Sequence, residues 1–344
     1  TVKTKVGEPF KVYTPFWRAC LQMASRAPLP APKSLNGFEG ALSSEPLASW
    51  RLLPTKPDWA KGFESEWRPG ERGAHAALDR FIEDRVRDYP EARDQLGVEG
   101  TSRLSAHLHW GEISPVQVRT AIESAAAHHA NVQRGADKFL AEIGWREFST
   151  NLLFHWPTLP EANWRENFNA FPWRDDGEEL EAWKRGRTGY PVVDAAMREL
   201  WTTGVMHNRA RMIAASFLIK HLLIDWRHGE DWFWDTLVDA DLANNSMGWQ
   251  WVAGCGIDAA PYFRIFNPLL QGEKFDPEGT YVRRWVPELA KLPAEWIHKP
   301  HAAPAEVLRA AGVTLDGTYP RPIVDHSIAR DRALAAYQSL REAA

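Results

Sequence analysis

The sequence predicts an all-α fold, on three observations. From about residue 70 onward apolar side chains recur at three- and four-residue spacings, several of these stretches carry helix start and stop signals, and clean period-two strands are hard to find. No internal repeat is visible.

The first 69 residues hold nine of the 24 prolines, including "APLPAP" and "LLPTKPDW", and read as an extended connector with one short helix near Thr14–Met23. A helical domain is expected over residues 70–320. In "ISPVQVRTAIESAAA", Ser114 is the expected N-cap, Pro115 the first helical residue and Gln117 the capping-box partner. "WREFSTNLLFHWP" places Trp145, Phe148, Leu152 and Trp156 on one face, and Pro157 stops that helix. "YPVVDAAMRELWTTG" buries Val193, Ala196, Met197 and Leu200 and ends at Gly204. The helical pattern of "NRARMIAASFLIKHLLIDW" continues through Ile219, Leu222, Leu223 and Trp226. Beyond about residue 300 the chain reads as looser, and residues 321–344 form a C-terminal tail of helical character.

A chain of 344 residues is long enough to bury a large core. Its 41 basic and 45 acidic residues leave a formal charge of −4, so a nucleic-acid role requires a local basic patch. Cys20 and Cys255 are the only cysteines and show no metal-ligand spacing, which points to a reducing cytoplasm. No apolar run approaches the roughly 18–20 residues of a membrane span, and no signal peptide is visible. The chain begins at Thr1, and "TVKTKVGEPFKVYTPFW" reads as the middle of a longer protein. The 18 tryptophans are either bulky core rings or stacking and redox-active surfaces, and their positions must decide.

Residues 239–251, "DADLANNSMGWQW", pack two carboxylates, two adjacent asparagines and two tryptophans together, with no Cys, His or Lys as nucleophile or base. In "EIGWREF", Glu142, Trp145 and Arg146 stand at i, i+3 and i+4 and share one helix face; Asn208, Arg211 and Met212 of "HNRARM" repeat the spacing. Trp and Met do not suit a solvated face, nor Glu, Asn and Arg a core face; a helix edge with snorkelling arginines is the alternative. The same mixture in three segments suits a polar, planar, multi-ring ligand in a partly apolar pocket. In "EGTSRLSAHLHWG", Thr101, Ser102 and Ser105 open a helix marked by Leu104 and Leu108 and closed by Gly111. Hydroxyls and free amides at a helix start can hold phosphate, although Ser and Thr also cap most helices. His107 and His109 stand at i, i+2, which do not face each other, so no metal site is expected; His128 and His129 read as surface residues.

The blocks "TSRLSAHLHWG", "WREF", "TGYPVVDAAMRELWTTGVMHNRARM", "DWRHGE", "DADLANNSMGWQWVAGCGIDAAPYFRIFNP" and "QGEKFDPEG" closely resemble the photolyase/cryptochrome flavoproteins, most narrowly the bacterial cyclobutane-pyrimidine-dimer photolyases. The resemblance runs from about Tyr13 to Tyr319. It implies that residues 1–69 join the helical FAD domain to an N-terminal α/β antenna domain that this chain lacks, so no antenna chromophore is expected in it.

By the same resemblance, Thr101, Ser102, Arg103, Leu104 and Ser105 would hold the FAD phosphates, with Tyr89 against the cofactor. Arg146, Arg211, Asp239 and Asp241 would surround the isoalloxazine and ribityl groups, Asn208 would also bind the cofactor, and Asn245 matches the asparagine beside the flavin's redox-active nitrogen. Trp145 and Trp251 match the walls of a pocket for a flipped-out dimer, with Glu142, Asn208 and Met212 on its bases. Trp249, Trp226 and Trp173 match the chain that passes an electron from the surface to the flavin. Arg93, Arg209, Arg264 and Gln271 would form the DNA face, with Lys184, Arg185 and Arg187 as further phosphate contacts.

The implied partner is DNA containing pyrimidine dimers. The implied protein is a monomer, with self-association through exposed apolar surface to which Phe10, Phe16 and Trp17 contribute. The alternative is a cryptochrome-type blue-light photoreceptor using the same flavin and tryptophans. Asn208 and Met212 favour repair, because six-four photolyases and their animal cryptochrome relatives usually carry histidines on this helix.

Overall fold

A computed structural model describes residues 2–24, 26–53 and 56–342, and regular structure among them is helical, with two isolated bridges, Lys3 to Pro9 and Leu315 to Tyr319. The helices of eight or more residues are α1 (Tyr13–Leu21), α2 (Glu71–Asp84), α3 (Pro115–His128), α4 (Gln133–His155), α5 (Gly177–Lys184), α6 (Pro191–Thr203), α7 (Asn208–Ser216), α8 (Trp226–Thr236), α9 (Leu242–Ala253), α10 (Pro268–Phe275) and α11 (His326–Glu342). No helix among the described residues is long and apolar enough to cross a membrane.

The start and stop signals act as read. Ser114 accepts from the Gln117 N–H at 3.2 Å while the Gln117 side chain accepts from the Ser114 N–H at 2.9 Å, closing the capping box of α3. Gly204 ends α6 with φ 69°, where a side chain would also strike Phe63 and Val238.

Three apolar clusters order these helices around a central cavity. The largest gathers α5 to α9 and α11, with Trp183, Met197, Phe217 and Trp226 fully buried. A second packs α2 and α3 on the first half of α4 through Leu78, Phe81, Val118, Ile122 and Phe139. The third holds α1 against the second half of α4 and α9 through Tyr13, Phe16, Phe148, Leu152 and Met247.

Three expectations need correction. The helix beginning at Asn208 does not run on to Trp226: Phe217–His221 is π-helical, Leu223 has φ 56°, and Asp225 starts α8 by accepting from the Arg227 N–H at 3.0 Å. Every residue from Phe217 to Ile224 is buried, so an all-round apolar run carried no periodicity to mark the break. The chain beyond residue 300 is not loose. Tyr319 is fully buried and donates to Asp194 at 2.6 Å, and α11 buries Ala329, Ala333, Ala336 and Leu340, a stripe of small side chains with a weak apolar signal.

Phe16 and Trp17 are not exposed either. Phe16 is 3% exposed, Trp17 packs on α4 where Gly144 has no side chain to obstruct it, and Phe10 lies edge-on to Phe16. The exposed apolar side chains of this region are Val6, Val12, Leu21 and Met23 around α1 and Leu29, Leu35, Phe38, Leu42, Leu47, Trp50, Leu52 and Leu53 further on.

Candidate functional site

A cavity of about 600 Å³ opens between α4, α7 and α9 and the segment at residues 101–105. Such a volume falls in the ordinary range for small-molecule and cofactor sites.

Thr101, Ser102, Arg103, Leu104 and Ser105 line one end. The helix they open is only Ser105–His109, so Thr101 and Ser102 belong to the loop before it, where Ser102 Oγ accepts from the Leu104 N–H at 3.3 Å. Arg103 adopts φ 56°; its guanidinium lies over Trp67 at 5.5 Å and 3.7 Å from Glu66. That separation is too long for a hydrogen bond, and the buried Nη2 has no hydrogen-bond partner among the described residues. Tyr89, beside this end, is buried, and burial raises its phenol pKa above the ordinary value.

Both predicted stripes line the cavity. On α4, Arg146 reaches Asp241 at 3.4 Å and donates to the Leu108 carbonyl at 3.1 Å. On α7, Arg211 Nη2 lies 2.9 Å from both Asp239 oxygens while its Nε donates to the Met206 carbonyl at 2.8 Å. Asp241 also caps α9, accepting from the Asn244 N–H at 2.9 Å and its amide at 2.7 Å. Burial opposes its charge, but these donors, with Arg146 and His109, outweigh burial and hold its pKa below the usual range.

The α9 wall carries Asn245, Trp249 and Trp251. Asn245 Nδ2 donates to the Glu230 carbonyl at 2.9 Å, and Ser246 Oγ lies 2.5 Å from Glu230 Oε1 and 2.7 Å from the Leu242 carbonyl. Burial pushes the Glu230 carboxyl up to about 7. Glu230 and Ser246 were missed from sequence although both lie in quoted blocks, Glu230 at the end of "DWRHGE" and Ser246 within "DADLANNSMGWQW"; their pairing is a tertiary contact that no spacing marks. His207 was missed as well. It lines the cavity with Nε2 unpartnered, and burial lowers its pKa to about 4, so the ring is neutral at pH 7.

Glu142, Trp145, Asn208, Met212 and Trp251 also line this cavity, so the expected cofactor and lesion residues share one space. Glu142 forms an ion pair with Arg93, which turns inward to line the cavity rather than lying on the surface. Arg209 pairs with Asp94 at 2.9 Å and lies over Phe275 at 4.4 Å. Arg264 is exposed and Gln271 half-buried, both outside the cavity lining. Lys184 and Arg185 flank a separate groove with Trp201 and Trp285, and Arg187 is exposed on the loop after α5.

Trp249 is buried against Gly229 of α8, where even a β-carbon would come within 2.1 Å of the indole, and its Nε1 has no partner among the described residues. Trp226 begins the same helix one turn earlier, fully buried, and donates to Asn163 at 2.9 Å. Trp173 is half-buried on Phe171 at 4.3 Å; the next residue, Arg174, donates its N–H to the Leu223 carbonyl at 2.8 Å. Of the three, Trp249 lines the cavity, Trp226 is fully buried and Trp173 is half-buried. Trp183, 6.2 Å from Trp249, is a further buried indole that sequence reading missed.

His107 is bound to Glu112 at 2.5 Å and His109 lies 3.5 Å from Asp241, while His128 and His129 are exposed.

A hydroxyl- and arginine-bearing segment, two arginine–carboxylate pairs and an amide-and-indole wall on one cavity fit an anionic cofactor with a planar ring system. The unpartnered polar atoms of Arg103, His207 and Trp249 on the lining fit it too. This fold and site define a helical cofactor-binding domain.

Residues 139–339, more than half the chain, match the family described as the FAD binding domain of DNA photolyase, and the chain belongs to that family. It is 57% identical over 343 residues to the deoxyribodipyrimidine photo-lyase of Agrobacterium fabrum, covering 99% of this chain and 71% of that protein. The crystal structure of a bacterial class III photolyase from Agrobacterium tumefaciens superposes with a TM-score of 0.95 at 57% identity, over 99% of this chain and 70% of that one. Cryptochrome-2 of Arabidopsis thaliana is 40% identical, over 98% of this chain and 57% of that protein.

Proposed function

We propose that this chain repairs cyclobutane pyrimidine dimers in DNA with blue light. Bound and reduced, FAD would supply the electron that splits the dimer. The observation that carries the reading is that the Asn245 amide and the Trp145 and Trp251 rings line the same cavity, so cofactor and lesion can be held in contact. The Thr101–Ser105 segment would hold the phosphates, and Arg146, Arg211, Asp239 and Asp241 would surround the isoalloxazine and ribityl groups. Asn245, already tied to Glu230 through its Nδ2, offers Oδ1 to the flavin as an uncharged acceptor.

Trp145 and Trp251 provide apolar faces for the lesion bases, with Glu142, Asn208 and Met212 on their polar edges. Arg264 and Gln271 contact the flanking DNA. Arg93 and Arg209 join them by exchanging Glu142 and Asp94 for phosphate, in the cytoplasm where the DNA lies. Trp249, Trp226 and Trp173 relay electrons to oxidised flavin. Residues 70–320 form the catalytic unit, 1–69 the connector and 321–344 a helical brace. The protein is a monomer whose exposed apolar connector, Leu35 to Leu53, promotes self-association at high concentration.

The photoreceptor reading uses the same flavin, and the Arabidopsis relative keeps it in view. The tryptophan-walled lesion pocket favours repair. The test is illumination of the reduced protein with oligonucleotides carrying either a cyclobutane dimer or a six-four product. Repair of the first supports the proposal, and repair of only the second overturns it.

A further inference from the structure

Trp145 lines the cavity, and one face of its ring is covered by a residue of α1. The ring of Tyr13, on α1, stacks on Trp145 with centroids 3.7 Å apart and planes 9° from parallel. Three further contacts fix that stack. The Tyr13 hydroxyl donates at 2.5 Å to the carbonyl of Ala141, the same carbonyl that receives the Trp145 N–H in the α4 ladder. Phe148 meets both rings edge-on, at 6.0 and 5.9 Å. The Tyr13 backbone N–H donates at 3.0 Å to Asp258, in the loop after α9 whose Ala260 N–H is bound to the Trp251 carbonyl at 3.2 Å. Tyr13 is therefore tied to both tryptophan walls, one through its ring and one through its backbone.

We infer that Tyr13 is a positioning residue for lesion recognition, holding Trp145 at the angle and separation from Trp251 that admit the flipped-out bases. The inference rests on the reading of this cavity as the dimer site. A ring already stacked on one face has little rotamer freedom left to lose when bases stack on the other, so the cost of ordering it is met in the free protein. Tyr13 touches neither the cavity nor the Arg–Asp pairs, so its removal should spare flavin binding.

The test compares dissociation constants for a single-dimer oligonucleotide and for the same strand undamaged, with flavin content and melting temperature measured alongside. Tyr13→Leu is expected to weaken dimer binding roughly fivefold, about 1 kcal/mol, while binding of undamaged DNA and flavin stays unchanged. Tyr13→Phe, which keeps the stack, should stay near the parent. Asp258→Ala leaves the aromatic cluster whole and should shift dimer binding in the same direction, so the inference stays open to refutation even where Tyr13→Leu does not fold. Unchanged discrimination in a folded Tyr13→Leu, or in Asp258→Ala where the former does not fold, overturns it; so does equal loss of binding to both DNAs. A parent protein with no preference for the dimer overturns the reading of the cavity instead.

Discussion

Asn245 donates its side-chain N–H to the backbone carbonyl of Glu230, 15 residues earlier, at 2.9 Å. This bond restrains the amide, which keeps one Nδ2 hydrogen and its Oδ1 acceptor for a ligand. An aspartate at the position would set a carboxylate against the Glu230 carbonyl with no donor between them. Asn245→Asp should make the bound flavin harder to reduce, since a charge near the ring costs roughly 1–4 kcal/mol at contact distance. A redox titration followed by visible absorption checks this, and an unchanged midpoint potential would remove Asn245 from the flavin's side.

Glu230 should make stability pH-dependent. Ser246 has one hydroxyl proton and two acceptors within 2.7 Å, the Glu230 carboxyl and the Leu242 carbonyl, and both contacts are satisfied when Glu230 is protonated and donates. Its pKa is raised by burial from 4.5 to about 7. Between those values the folded protein keeps a proton that the unfolded chain releases, so this group's contribution falls as pH rises from about 4.5 through 7. Glu230→Gln, neutral at every pH, should flatten the melting-temperature profile in that window. Parallel profiles for parent and variant would show that Glu230 titrates normally.

Arg211 and Asp239 test the arginine–carboxylate pairing in the cavity. The Asp239 side chain is only 7% exposed, so Arg211→Leu strands a nearly buried carboxylate. The loss should approach, without reaching, the ~3–5 kcal/mol of a fully buried pair, because the guanidinium is partly exposed. Flavin content should fall as well. Arg211→Leu combined with Asp239→Leu should regain thermal stability but not flavin, a contrast that calorimetry and absorbance can read directly.

Trp249→Phe separates the relay from packing. The smaller ring still fits against Gly229 and Phe233 but cannot pass an electron readily. Photoreduction of oxidised flavin with external reductant should stop, while repair by chemically reduced protein continues. Equal photoreduction in both proteins would assign Trp249 to packing alone.

The sequence made the fold and much of the site legible, for physical reasons that differ by residue. Ser114, Gln117 and Gly204 each act through local backbone chemistry and declare themselves in the sequence. The stripes Glu142–Trp145–Arg146 and Asn208–Arg211–Met212 were visible because helical spacing alone puts them on one face. The break after Ser216 was not, since a run buried on all sides has no amphipathic period. Glu230, His207 and Tyr13 reach the site through tertiary contacts, Tyr13 across 132 positions to Trp145. The inward turn of Arg93 towards Glu142 is likewise set by partners that no spacing rule connects.

The most direct test of the central claim is the number of dimers split per photon absorbed by chemically reduced flavin, measured across wavelengths on an oligonucleotide with one cyclobutane thymine dimer. The account expects no repair in the dark and a repair spectrum that follows the absorption of the reduced flavin. A protein that holds reduced FAD and binds the lesion, yet splits no dimer at any light dose, would contradict it.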